Sequence, residues 1–198
     1  MLSRSQFESA SKAFSRRHPQ WSWGDGHRPG YGYLMRTTTH FQKSPNLAQD
    51  AISFPEPQVE EDDLATAQPA GPAVIVQEYI VYSASFGVPA FYFTIHNTNG
   101  TPLSLAGILQ TTFFKSELPS GSEATTFALT VPSTSFPLLS QGDHPTLGTP
   151  CWYFHPCESD KAVREFLSEI EQSDWSEETR LVRWLELWIM IVGSVLNL

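Results

Sequence analysis

At 198 residues and 22.2 kDa, with 40% of residues hydrophobic and 13% aromatic, the chain can bury one sizeable core and is short for two. Twelve Lys and Arg against 21 Asp and Glu give a formal charge of −9, which offers no basic field to a nucleic-acid backbone or an anionic membrane. Two cysteines cannot build a disulfide framework, and Met1 to Ala10 sets Arg4 and Glu8 among serines without an apolar segment of secretory type. The expected setting is cytoplasmic, with both thiols reduced.

Charge divides the chain. Residues 1–43 hold seven basic and two acidic groups, whereas residues 44–72 hold six acidic groups, no basic ones and five of the fifteen prolines. With no sustained period and with Glu60-Glu61-Asp62-Asp63 repelling one another, 44–72 reads as an acidic, proline-rich disordered insertion within a single domain spanning 1–198.

In chain order, Phe7, Ala10 and Phe14 recur at helical spacing behind Ser5, whose Glu8 completes a capping-box pattern, so a helix is expected over 5–17. A first strand is expected over Tyr31 to Thr39. Ala73 to Tyr82 and Ala90 to Ile95 are β-prone runs joined by a turn at Ser83 to Pro89, which predicts an antiparallel hairpin. Asn97-Thr98-Asn99-Gly100 ends it, and Leu105, Ile108 and Leu109 form a short helical stretch. Thr125 to Val131 and Cys151 to Phe154 are further strand candidates. Two helices close the chain. Val163, Phe166, Leu167 and Ile170 share one face behind Asp160, and Leu181, Trp184, Leu185 and Trp188 share another after Asp174 and its Glu177. The apolar run Leu187 to Leu196 is half of the ~20 residues that a bilayer span needs, so it reads as a buried core helix. The sum is an α+β domain: an antiparallel sheet with an amino-terminal helix and two carboxyl-terminal helices.

The chemistry concentrates in residues 142–157. Pro156 fixes its own φ and drives His155 towards an extended conformation, so the chain leaves the Cys151 to Phe154 strand in a constrained direction at Cys157. A sulfur just ahead of a helix amino terminus feels positive dipole charge that favours thiolate, which Glu158 and Asp160 oppose. Such a thiol suits acyl transfer. Read from the residues alone, Cys157 fits a small buried hydrophobe equally well, and Cys151, ahead of Trp152 in an apolar strand, reads as core. A zinc site from Cys151, His155 and Cys157 lacks a fourth ligand and the spacing of a knuckle, so no metal is expected. His18, His27, His40 and His96 read as surface or structural residues, and Trp184 and Trp188 as core.

The run Glu78-Tyr79-Ile80-Val81-Tyr82-Ser83 continuing through Phe86-Gly87-Val88-Pro89 to Phe93, then Asn99-Gly100-Thr101-Pro102-Leu103, then His144-Pro145-Thr146-Leu147-Gly148, and finally His155-Pro156-Cys157, resembles the autophagy-related protein 10 family. The resemblance spans residues 73–112 and 138–198 and leaves the acidic insertion and 115–137 uncovered. It implies a divergent ubiquitin-conjugating-enzyme-like fold in which Cys157 is the nucleophile. On that cysteine the modifier autophagy-related protein 12 arrives as a thioester from the activating enzyme autophagy-related protein 7, and it is passed to a lysine of autophagy-related protein 5. No cofactor is implied, and the family setting is cytoplasmic, with transient presence where autophagosomes assemble.

Acyl transfer also needs an oxyanion donor and a proton acceptor. Ordinary ubiquitin-conjugating enzymes carry His-Pro-Asn upstream of the cysteine; here the His-Pro runs into the cysteine itself. The helper candidates are His144, thirteen residues upstream, and Tyr82, expected on a strand beside Cys151 to Phe154. His155 is expected to orient the loop. Acceptor recognition is expected at an exposed edge of the hairpin Val74 to Phe93. Arg4, Lys12, Arg16 and Arg17 read as a solvated helix face, with an acidic partner such as the activating enzyme as the second reading. Three other functions fit parts of the pattern. They are the sister family, autophagy-related protein 3, which shares His-Pro-Cys and sends its modifier to lipid; a thiol hydrolase using His144 and Asp143; and a non-catalytic binding module.

Overall fold

The computed structural model describes residues 2–43, 71–115, 119–132, 134, 136–156 and 159–198. Helix α1, Arg4–Arg17, starts one residue earlier than the expected 5–17. Its N-cap is Ser3, whose hydroxyl accepts from the Gln6 N–H at 3.2 Å while Gln6 Oε1 accepts from the Ser3 N–H at 2.9 Å. Ser3-x-x-Gln6 and Ser5-x-x-Glu8 both fit a capping box; the earlier one leaves Leu2 buried just outside the helix, with its N–H on Gly87 O. Phe7, Ala10, Ala13 and Phe14 face inward as the spacing requires.

Strands β1 (Ser22–Gly24) and β2 (Tyr33–Phe41) lead to the acidic insertion, of which 44–70 lie outside the described residues. Its two ends meet, since the Gln42 N–H donates to Pro72 O at 3.0 Å. The expected hairpin forms from β3 (Ala73–Ser83) and β4 (Val88–Asn97). After Gly100, whose φ of 84° suits only glycine at that turn, comes α2 (Leu105–Leu109). Thr125 to Val131 is not one strand: β5 (Glu123–Ala124) and β6 (Ala128–Thr130) flank a turn in which Thr125 Oγ1 accepts from the Ala128 N–H. Strand β7 (Leu139–Asp143), with Ser, Gln and Gly at its centre, carries no β-propensity signal and is set by pairing with β8 (Pro150–Phe154). Helices α3 (Ser159–Ile170) and α4 (Glu177–Val192) close the chain. The N-cap of α4 is Ser176 rather than Asp174, and α3 buries Val163 and Leu167 but leaves Phe166 45% and Ile170 44% exposed, so its inward stripe is narrower than the four-residue face expected.

The eight strands form one antiparallel sheet in the order β1-β2-β3-β4-β8-β7-β6-β5. The α+β expectation holds. Two meanders join at a narrow seam, Tyr92 with Tyr153 and Phe93 with Trp152. One sheet face, with Leu34, Val76, Ile80, Phe91, Phe93 and Phe154, forms the core with Phe7, Phe14, Val163, Trp184 and Trp188 of the helices. Two expectations fail here. Tyr82 lies on β3, and β4 intervenes between it and β8; and both strands of the β3–β4 hairpin are interior, β3 paired with β2 along its length and β4 with β8 at Tyr92 and Phe93, so the hairpin is not the expected sheet edge. The sheet edges are β1 and β5. No helix among the described residues is long and apolar enough to cross a membrane.

Candidate functional site

Strand β8 delivers the chain to the His-Pro-Cys segment. Cys151 and Tyr153 alternate with Trp152 and Phe154, so the core face takes Trp152 and Phe154 while Tyr153 stacks on Tyr92 across the seam at 5.3 Å between centroids. Cys151 is buried, and burial raises its thiol above the usual range, which keeps it protonated and inert. At the end of β8 the His155 N–H donates to Leu138 O at 3.2 Å, and Pro156 is buried. Cys157 lies outside the described residues. Two residues after it α3 begins, with both the backbone N–H and the hydroxyl of Ser159 donating to Pro156 O. Asp160, in the first turn, pairs with Arg164 at 2.6 Å. A cavity of about 270 Å³ opens beside this segment, between β8, α3 and the end of α4, lined by Phe91, Phe154, Pro156, Trp188 and Val192.

His155 is held by neighbours. Its ring lies parallel to Phe136 at 5.3 Å and meets Phe86, from the β3–β4 turn, edge-on at 5.5 Å.

The structure does not bring His144 to this end of β8, and Tyr82, though paired with Pro89 towards the same end of the sheet, is two strands away with β4 between. His144 stands at the far end, in the turn between β7 and β8, and is 1% exposed. Its Nδ1 accepts from the N–H groups of Thr146 and Leu147, each at 3.1 Å, which assigns the ring proton to Nε2. Its ring is enclosed by Tyr33, Tyr79 and Tyr92. Burial pushes its pKa down to about 4, so it is neutral at pH 7 and its free lone pair is committed to the turn. A folded-state value below the unfolded 6.5 means the folded chain binds fewer protons across that window. Stability from His144 is therefore complete above pH 6.5 and is lost as pH falls towards 4, by about 3 kcal/mol in all. Urea unfolding of the wild type and of His144→Gln, repeated between pH 7 and 4.5, should show this slope in the wild type and a shallower one in the variant. Tyr82 is engaged on the helix side, its hydroxyl donating to Leu2 O at 2.9 Å and its ring flanked by Phe7 and the Arg4 guanidinium.

The amino-terminal basic groups find partners within the chain. Lys12 pairs with Glu8, Arg16 and Arg17 approach Glu178 of α4 at 3.5 and 4.0 Å, and Arg4 lies between the Tyr31 and Tyr82 rings with its Nη1 on Gly30 O. The sequence reading missed the aromatic setting of His155, because Phe86 and Phe136 lie far from it in the chain and neither falls in a periodic segment. It also missed a buried ion pair between Arg36 and Glu78, since alternation cannot tell a paired inward carboxylate from an outward one.

A family model described as "Autophagocytosis associated protein, active-site domain" matches residues 6–198. Three curated relatives share the name ubiquitin-like-conjugating enzyme ATG10. The chain is 29% identical to that of Dictyostelium discoideum over 129 residues, covering 63% of the chain and 51% of the relative. It is 31% identical to that of Arabidopsis thaliana over 122 residues, 61% and 48%, and 29% identical to that of Homo sapiens over 132 residues, 65% and 52%. The chain thus spans about half the length of the curated relatives it matches.

Proposed function

The chain belongs to the autophagocytosis-associated active-site domain family, and from that membership we propose that it is a ubiquitin-like-protein conjugating enzyme of autophagy whose nucleophile is Cys157. Its modifier is autophagy-related protein 12, its charging partner the activating enzyme autophagy-related protein 7, and its acceptor a lysine of autophagy-related protein 5. The observation that carries the reading is the His155-Pro156 segment closing β8 immediately ahead of α3, in a chain that the family's active-site model matches almost end to end.

The reaction has two steps. In the first, Cys157 Sγ bonds the carbonyl carbon of the modifier's terminal glycine as the bond to the activating enzyme's sulfur breaks; the proton leaving Cys157 ends on that departing thiol. In the second, an acceptor amine attacks the same carbon, the C–S bond breaks, and the proton lost from nitrogen returns to the Cys157 sulfur. A thioester is activated towards amines, so neither step requires a metal or a redox cofactor. Pro156, buried and holding the first turn of α3 through its carbonyl, fixes the direction in which the chain leaves the sheet.

The test is charging. Purified protein with the activating enzyme, ATP and autophagy-related protein 12 should give a band on non-reducing gels that thiol reductant removes, and subsequent addition of autophagy-related protein 5 should consume it into an isopeptide-linked product. Charging only with the lipid-directed modifier of the sister family would reassign the chain to lipid conjugation. No adduct with either modifier would overturn the conjugating reading. A Cys151→Ala variant should charge at the wild-type rate, because that thiol is buried within the sheet, and should lose about 1 kcal/mol of stability.

A further inference from the structure

Phe136 is 58% exposed and Phe86 is 39% exposed. Large aromatic rings left that open contribute little to a core, and these two come from separate loops yet converge on one imidazole. Phe136 stacks face to face on His155 at 5.3 Å with 17° between planes; Phe86 meets it edge-on at 5.5 Å and 74°. Both loops are anchored. The β3–β4 turn that carries Phe86 is closed by the Gly87 N–H on Ser83 O and tied to the start of α1 by the Leu2 N–H on Gly87 O. The segment after Phe136 is fixed by the Leu138 N–H on Leu129 O, and Leu138 O accepts from the backbone N–H of His155 itself. The histidine is thus held at its ring by two loops and at its backbone by a third contact, one residue before Pro156.

We propose that Phe86 and Phe136 are positioning residues: they clamp the His155 ring and so hold the His155-Pro156 unit that leads into Cys157, which sets the rate of chemistry at that thiol, an inference that rests on the conjugating reading above. Neither ring touches the reacting atoms. Their effect passes through His155 and the stiff His155-Pro156 unit, whose proline leaves little freedom to absorb a change in the preceding ring. Loss of one jaw frees the His155 ring, and the chemistry at Cys157 is expected to slow roughly ten- to a hundredfold.

Two measurements decide it, on Phe136→Ala, Phe136→Tyr and Phe86→Ala in the full chain. The first needs no partner: the rate at which iodoacetamide alkylates Cys157 across pH, located by mass spectrometry, together with the upfield ring-current shift of the His155 ring protons. Alanine should reduce the shift, most at Phe136, whose ring stacks face to face, and alter the alkylation profile, and tyrosine, which keeps the ring, should restore both. The second is discharge of the preformed thioester to free lysine and, separately, to the acceptor protein. A positioning role slows both by the same factor. Slowing confined to the acceptor protein would make the rings a docking surface and overturn the proposal, as would an alanine variant whose alkylation profile matches wild type. Failure of the wild type to charge would count against the conjugating reading, while the alkylation and ring-proton readouts would still decide the clamp.

Discussion

A Cys157→Ser chain is expected to capture the modifier and keep it. Oxygen forms an ester where sulfur forms a thioester, so the adduct band should survive reductant, yield to mild alkali, and fail to pass its cargo to the acceptor. The reason is intrinsic reactivity: a serine hydroxyl is weak without an adjacent base, so charging slows, and an oxyester is a poorer acyl donor to amines, so discharge all but stops. The placement of His144 does not favour it as that base. It is 1% exposed, at the opposite end of β8, with Nδ1 committed to the Thr146 and Leu147 N–H groups. Cys157→Ala should form no adduct of either kind. Non-reducing gels with and without hydroxylamine or alkali separate these outcomes. A serine variant that still transfers at the wild-type rate, or an alanine variant that still charges, would place the nucleophile elsewhere. The remaining cysteine, Cys151, is a poor substitute, being buried with its thiol held in the protonated form.

The parts of this fold that could be read from the chain are those in which local pattern and tertiary packing agree. α1, the β3–β4 hairpin, α2 and the two carboxyl-terminal helices carry period and caps of their own, and each forms within a few residues of its expected span. Where the two disagree, packing decides. β7 has Ser140, Gln141 and Gly142 in a row and becomes a strand because β8 offers it a partner; Phe166 and Ile170 have the right spacing to be buried, yet only Val163 and Leu167 face inward. Strand order was the least legible feature. An antiparallel hairpin in sequence gives no indication whether its outer edges are free, and here β2 covers one and β8 part of the other, which also separates Tyr82 from β8. For the same reason the His-Pro-Cys segment could be located by residue type, whereas Phe86 and Phe136 could not: they meet His155 only once the sheet has formed.

Glu78 presents the largest stability effect. It is completely buried on the core face of β3, opposite Arg36 of β2, whose Nε donates to its Oε2 at 2.9 Å and whose Nη2 lies 2.8 Å from the same oxygen in an ion pair; Thr38 Oγ1 donates to its other oxygen at 2.7 Å. The Arg36 guanidinium is backed by the Trp21 ring at 4.4 Å, and His40 Nε2 lies 3.1 Å from Thr38 Oγ1. Removing one partner leaves a buried, unpaired charge, so Glu78→Leu or Arg36→Leu alone should lose about 3–5 kcal/mol, whereas the double variant should recover most of it because no charge is left stranded. Urea unfolding of the four proteins gives the coupling directly, and a double variant as unstable as the sum of the singles would refute this account. The pH dependence has the opposite sign to that of His144. Burial raises the Glu78 carboxyl pKa, against the opposing pull of Arg36 and Thr38, so the folded chain holds this proton more tightly than the unfolded one. Its share of stability is therefore complete below the ordinary carboxylate value of 4.5 and is lost as pH rises through the folded one. Acid weakens the fold through His144 and not through Glu78. Replacing Glu78 should leave the loss of stability between pH 6.5 and 5 in place, and His144→Gln should remove the His144 share of it, leaving that of His40, whose pKa burial also lowers.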